Sequence, residues 1–250
     1  MMTASLLGTS LGYIALTFVP PVLWLIFYLR EDRNPEPKRL LLLAFVGGMA
    51  GTLPAILAEC GVISLFGQDC TRDITFPINP VILLFAISLI EEYAKYLMIK
   101  LLIIRKRDFD EPVDAMVYLI TAALGFAALE NTLFLFPIFF QGNLLVGLQI
   151  TLNRFLGANL LHALSSGIVG FFLARAFFLP RRHHFIALGV FIAALFHTAF
   201  NYLVLIQSSL DEGTFYIVLL LTTMSVMVLI DFERLKQSRP PPQLPPPYPQ

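Results

Sequence analysis

Seven apolar runs, at about 11–29, 40–65, 80–104, 113–139, 150–179, 184–207 and 214–231, dominate the chain. Each is long enough to cross a hydrocarbon core of about 30 Å, which takes roughly 20 helical residues. Inside lipid a spanning segment must satisfy its own backbone hydrogen bonds, which a helix does within itself. Composition agrees: 57% of the 250 residues are hydrophobic, 14% are charged, and the mean hydropathy is +0.77. These values lie outside the range of soluble domains. The expectation is an all-α polytopic membrane helix bundle with about seven transmembrane helices. The opening "MMTASLLGTS" has no basic stretch, and no small-residue cleavage site follows the first apolar run, so that run reads as a membrane helix. A formal net charge of zero, without a basic stripe, argues against nucleic acid as a partner.

Lys and Arg near span ends set orientation. With the N-terminus outside, the inner connectors hold Arg30, Arg33, Lys38 and Arg39, then Arg105, Lys106 and Arg107, then Arg181 and Arg182, and finally Arg234, Lys236 and Arg239. The outer connectors hold Arg72 and, near a span end, Arg154. A multi-pass protein with a cytoplasmic C-terminus is expected. Residues 1–236 read as one integral membrane domain. The proline-rich 237–250 reads as a disordered tail in extended conformation; its "PPPY" fits an aromatic-lined groove, but a plain tail is the simpler reading. Cys60 and Cys70 lack metal-ligand spacing, and a disulfide on an oxidising face and two free thiols fit equally well.

The residues most expensive in hydrocarbon are Glu91, Glu92, Lys95, Glu130, Asn131, His162, His197 and Asn201. Such groups normally face a bundle interior and mark function. Counted at about 1.5 Å per helical residue from the inner ends, the Glu91/Glu92 pair lies roughly 18–20 Å deep, His197 roughly 20 Å, and Glu130 and His162 roughly 25 Å. Four helices therefore deliver acid or imidazole groups to one layer. Lys95 follows Glu91 by four residues and Glu92 by three, within reach of both along one helix face. His197 and Asn201 share a face, as do Phe126 and Glu130, just after Gly125, whose size admits a neighbouring helix. Asn159, Ser165 and Ser166 lie within a turn of His162 and are placed to orient its ring.

Each residue also has a plainer reading. A lone intramembrane His or Asn is more often a helix–helix hydrogen bond, and midplane acids also serve proton- or cation-coupled transporters. Lys100, Arg154 and Arg175 lie close enough to span ends to snorkel. Ser165 and Ser166 lack a nucleophile context and read as packing. The combination nonetheless supplies what hydrolysis needs, in two versions. In one, Glu130, His162 and His197 hold Zn²⁺ and Glu91 or Glu92 is the base. In the other no metal is needed: a glutamate activates water, and His197 with Asn201 stabilises the oxyanion.

The stretch "EEYAK" at 91–95 resembles the Glu-Glu-x-x-Lys motif of PrsW-type intramembrane proteases. "FAALE" at 126–130 is similar to that family's Phe-x-x-x-Glu motif, and His162 and "HTAFN" at 197–201 resemble its later histidine-bearing spans. The wider CAAX-protease and bacteriocin-processing group has Glu-Glu-x-x-x-Arg first and usually a histidine at the end of the second motif, so Lys95 and Glu130 favour the PrsW branch. The resemblance implies a membrane-embedded endopeptidase of a bacterial cytoplasmic membrane that cuts membrane-anchored proteins, anti-sigma factors among them, on the outer side. It implies Glu91 and Glu92 as the catalytic acid/base pair, with Glu130, His162 and His197 completing the site. Oligomeric state is left open.

Overall fold

The computed structural model describes residues 16–70, 80–141, 144–176, 182–207 and 212–237. All regular structure in them is helical. Helix α1 covers 16–28 and runs into a 3-10 turn at Leu29–Glu31; then follow α2 (Lys38–Leu65), α3 (Pro80–Leu102), α4 (Asp114–Phe140), α5 (Leu144–Leu156), α6 (Ala158–Ala176), α7 (Arg182–Ile206) and α8 (Gly213–Lys236). Among the described residues, five segments are long and apolar enough to cross a membrane: Lys38–Leu65, Asp114–Phe139, Leu145–Ala176, His183–Ile206 and Gly213–Lys236. The protein is a multi-pass membrane protein. Helix α3 stands outside the five because Glu91, Glu92, Lys95 and Lys100 interrupt its apolar run. The fifth apolar run is two helices, broken at Gly157. The proline-rich tail lies outside the described residues apart from Gln237.

Helices α4 and α6 form the centre. The run from Val113 to Ala128 is buried throughout, and most of α6 is buried with it. A helix apolar on every side belongs in a bundle interior. Around this pair, α2, α3, α7 and α8 turn Leu57, Leu101, Leu188 and Phe215 outward, as lipid-facing surfaces do. The α2–α4 contact is made by backbone. A Cβ built on Gly48 would lie 1.8 Å from the Ala122 carbonyl oxygen, and one on Gly125 would lie 1.9 Å from that of Phe45. Two glycines on facing helices thus allow an approach that no side chain permits.

The ends of the bundle are built locally. Gly67, at φ +73°, ends α2: its N–H donates to the Ser64 carbonyl at 2.9 Å and that of Gln68 to Ile63 at 3.2 Å, the six-to-one and five-to-two pattern of a Schellman cap. Just beyond, Cys70 returns to Cys60 in a disulfide, with Cα atoms 5.3 Å apart. At the opposite end, the 29–37 connector is anchored to two other elements. Lys236 of α8 donates to Glu31 at 2.7 Å, Asn34 to Glu111 at 2.7 Å, and the Tyr118 hydroxyl to the buried Glu36. Asp114 receives the N–H groups of Asp110 and Glu111 at 2.9 and 2.8 Å, which closes the α3–α4 connector onto the start of α4.

Candidate active site

Glu91 and Glu92 are adjacent on α3, so about 100° of helical turn separates them and they meet different surroundings. Glu92 is wholly buried and fully used. Its Oε1 accepts from Lys95 Nζ at 2.8 Å, His197 Nδ1 at 2.8 Å and Ser165 Oγ at 2.9 Å, and its Oε2 accepts from Ser166 Oγ at 3.3 Å. Three helices, α3, α6 and α7, are thereby tied to one carboxylate. Lys95 has no exposed surface, and its ammonium lies 4.8 Å from the centre of the Phe126 ring, a cation–π contact. Burying an ammonium this completely requires a partner of opposite charge, and Glu92 is the near one.

The two imidazoles are each held by one acid. His162 Nε2 donates to Glu130 Oε2 at 2.9 Å, while its Nδ1 accepts from Lys95 Nζ at 2.7 Å. An ammonium has only protons to give, so Nδ1 carries the lone pair. His197 donates Nδ1–H to Glu92, which leaves Nε2 as its lone-pair nitrogen. The rings meet edge to face, with centroids 5.2 Å apart. Phe126 sits one turn before Glu130 and packs on His162 with ring centroids 5.8 Å apart, so both ends of the Phe-x-x-x-Glu stretch serve the same imidazole.

Glu91 occupies the space this leaves. Its Oε2 is buried, accepts no hydrogen bond among the described residues, and lies 3.8 Å from His162 Nδ1, 3.8 Å from His197 Nε2 and 3.6 Å from Lys95 Nζ. Glu91, His162 and His197 thus offer three ligand atoms within 4.8 Å of one another. Two imidazole nitrogens and a carboxylate oxygen are a donor set of catalytic zinc sites, and an orphaned buried oxygen aimed at both lone pairs is what such an ion would satisfy. The residues present fit a divalent metal, provided Lys95 gives up its hydrogen bond to His162 Nδ1, whose single lone pair cannot serve both.

A family model described as "PrsW family intramembrane metalloprotease" matches residues 36–230. The chain belongs to the PrsW family. It is 27% identical over 185 residues to Protease PrsW of Geobacillus kaustophilus (72% of this chain, 73% of the relative) and 25% identical over 192 residues to Protease PrsW of Bacillus subtilis (76% and 79%). Protease PrsW of Oceanobacillus iheyensis is 28% identical over 159 residues, 63% of this chain and 66% of its own length. No solved structure gives a significant match. The protein is a membrane-embedded peptidase, and family membership decides between the enzyme and transporter readings.

Within this PrsW-family site the structure brings Glu91, Glu92, Lys95, Glu130, His162 and His197 into one connected cluster. The carboxylate grouped with the two imidazoles closely enough to share an ion is that of Glu91, whereas the sequence reading offered Glu130 for that place; Glu130 is engaged by His162 Nε2, on the far side of the ring. Asn201 lies one turn beyond His197 and makes no side-chain hydrogen bond among the described residues. Ser165 and Ser166 do not orient His162 and are more than packing: both hydroxyls donate to Glu92. Asn159 accepts from Asn131 Nδ2 at 2.8 Å and also leaves His162 alone. Arg154 does not snorkel. It lies 3.1 Å from Glu130 Oε1 and donates through Nε to Asn131. Glu59 of α2, which the sequence reading passed over, is close enough to interact electrostatically with Glu91, Glu130 and Lys95. It is the single acid inside the second apolar run, and that was the available signal.

Proposed function

We propose that the protein is a zinc-dependent intramembrane endopeptidase in which Glu91, His162 Nδ1 and His197 Nε2 hold the ion. The observation that carries this reading is the convergence of one buried carboxylate oxygen that accepts no hydrogen bond and two lone-pair nitrogens, of which His162 Nδ1 would exchange Lys95 for the ion. When bound, the ion supplies a Lewis acid and a water acidic enough to be a nucleophile near neutral pH. The chain's own residues do the rest. Glu92 and Glu130 fix the tautomer and direction of the two imidazoles, and Lys95 offsets the charge of the clustered acids. Glu92, with both oxygens engaged, is a poor base; with Glu91 holding the ion, Glu59 is the acid left to take a proton from water. In the metal-free version of the mechanism Glu91 is instead the base that activates the water.

The substrate in this reading is a membrane-anchored protein, of the anti-sigma-factor kind, cut on the outer side of a bacterial cytoplasmic membrane. The Cys60–Cys70 disulfide supports that orientation, because it lies at the end of α2 opposite the basic connectors, and disulfides persist on oxidising faces. With α1 and the charged α3 counted beside the five apolar segments, the bundle has seven spans. Its N-terminus is outside, and residues 237–250 form a cytoplasmic tail beyond the catalytic domain. The test is cleavage of a co-reconstituted single-span substrate by purified protein. A chelator should stop the reaction and added Zn²⁺ should restore it. Undiminished cleavage by protein shown by elemental analysis to be metal-free would overturn the zinc assignment.

A further inference from the structure

A groove lined by none of the catalytic cluster's residues lies between α3 and α7. It has a volume of about 490 Å³. Leu89 and Ile90 of α3 and Ile186 and Val190 of α7 make its apolar walls. Tyr93, half-exposed, and the buried Tyr96 continue the wall downward. The groove then changes character: Lys100 and His183 line its far end, and the Lys100 ammonium lies 6.0 Å from the Tyr96 ring. Arg105, Lys106 and Arg107 follow directly after α3 and are exposed. An apolar channel that ends in cations matches an amphiphile with an anionic head.

Dimensions narrow the occupant. From Leu89 to Lys100 the groove follows eleven residues of α3, about 16 Å at 1.5 Å per residue. One leaflet of a hydrocarbon core about 30 Å thick has that depth. An extended acyl chain laid along this length would put its head at the level of the basic residues. Basic pockets between membrane helices are known settings for anionic lipid head groups.

We propose that this groove binds one anionic phospholipid, with an acyl chain along Leu89, Ile90 and Val190 and its phosphate at the end lined by Lys100 and His183. The lipid fills the seam between the two helices that carry Glu91 and His197. It therefore braces the α3–α7 register on which the 2.8 Å Glu92–His197 hydrogen bond depends. The site rests on the membrane-protein assignment and on the groove alone, so it stands whether or not zinc is the metal.

The test uses the full chain with Trp24 replaced by Phe and a tryptophan reporter in the groove, Tyr93→Trp, reconstituted in phosphatidylcholine vesicles. Brominated phosphatidylglycerol should quench that reporter with about a fivefold preference over brominated phosphatidylcholine, the effect of one basic residue near an anionic lipid surface. Adding Lys100→Gln and His183→Gln should remove the preference while leaving quenching by phosphatidylcholine intact. Native mass spectrometry of the otherwise unaltered chain gives a second reading: one phosphatidylglycerol retained, and none in the Lys100→Gln/His183→Gln variant. Equal quenching by the two lipids would overturn the proposal. So would loss of the preference on adding inorganic phosphate, which would mark a soluble-anion site. Stoichiometric displacement of the lipid by a single-span substrate peptide would instead make the groove a substrate track.

Discussion

At the scale of single residues, the two adjacent glutamates differ in kind. Glu91→Gln removes a ligand oxygen and little packing, so the variant should fold, fail to retain zinc, and lose cleavage by more than a hundredfold. Glu92→Gln strands a fully buried ammonium, which typically costs about 3–5 kcal/mol; it should lower the unfolding midpoint in detergent as well as activity. A Glu92→Gln protein as stable and as active as the parent would refute its role as the tie between three helices. Arg154→Met should release Glu130 and cut metal affinity about 10–100-fold, the usual effect of losing an outer partner of a ligating histidine; titration of the metal-free protein with Zn²⁺ measures it. The cluster's membership was legible because acids and histidines are rare in apolar runs and their depths agree. Their division of labour was not legible. Whether Glu91 or Glu130 faces the lone pairs depends on the rotation of α3 and α4 about their axes, and equal depths do not report rotation. Arg154 was misread for a similar reason: a span-end arginine and an arginine turned inward look alike until α5 is placed.

At the scale of elements, the α2–α4 contact is the most demanding. Gly125→Ala would place a methyl carbon within 2 Å of a carbonyl oxygen, so the helices must separate. Since α4 carries Glu130 and α2 carries Glu59, the expected outcome is a drop in stability of about 3 kcal/mol or more together with impaired cleavage. Thermal unfolding followed by intrinsic fluorescence checks the first. The sequence reading anticipated that Gly125 admits a helix, but not which one, because nothing local to Gly125 identifies Gly48 as its counterpart. The interruption at Gly157 was likewise hidden inside a continuous apolar run, one residue before α6 begins and five before His162.

At the scale of the whole molecule, the end of the bundle that holds the 29–37 connector is fastened by a carboxylate that keeps its proton. Burial, reinforced by Asp114 and Asp32 and opposed by the Tyr118 hydroxyl, pushes Glu36 from its ordinary 4.5 up to about 8. The folded chain therefore binds this proton over a pH range in which the unfolded chain has released it. Stability from this group is fully present below about pH 4.5 and declines as pH rises, levelling off above about 8. Glu36→Gln should flatten that slope in unfolding midpoints measured across the range; an unchanged slope would place its origin elsewhere. Seen as a vessel, the bundle is nearly sealed around its chemistry. Glu92 and Lys95 are fully enclosed and Glu91 is 10% exposed, while the Glu130 side chain is 33% exposed and so marks the opening. A helical substrate hides each carbonyl behind the N–H four residues on. Only a segment that uncoils can thread such an opening, so the enzyme should select its cut site by how readily the substrate's backbone frays there, and a glycine pair set next to the scissile bond should speed cleavage where an alanine pair slows it.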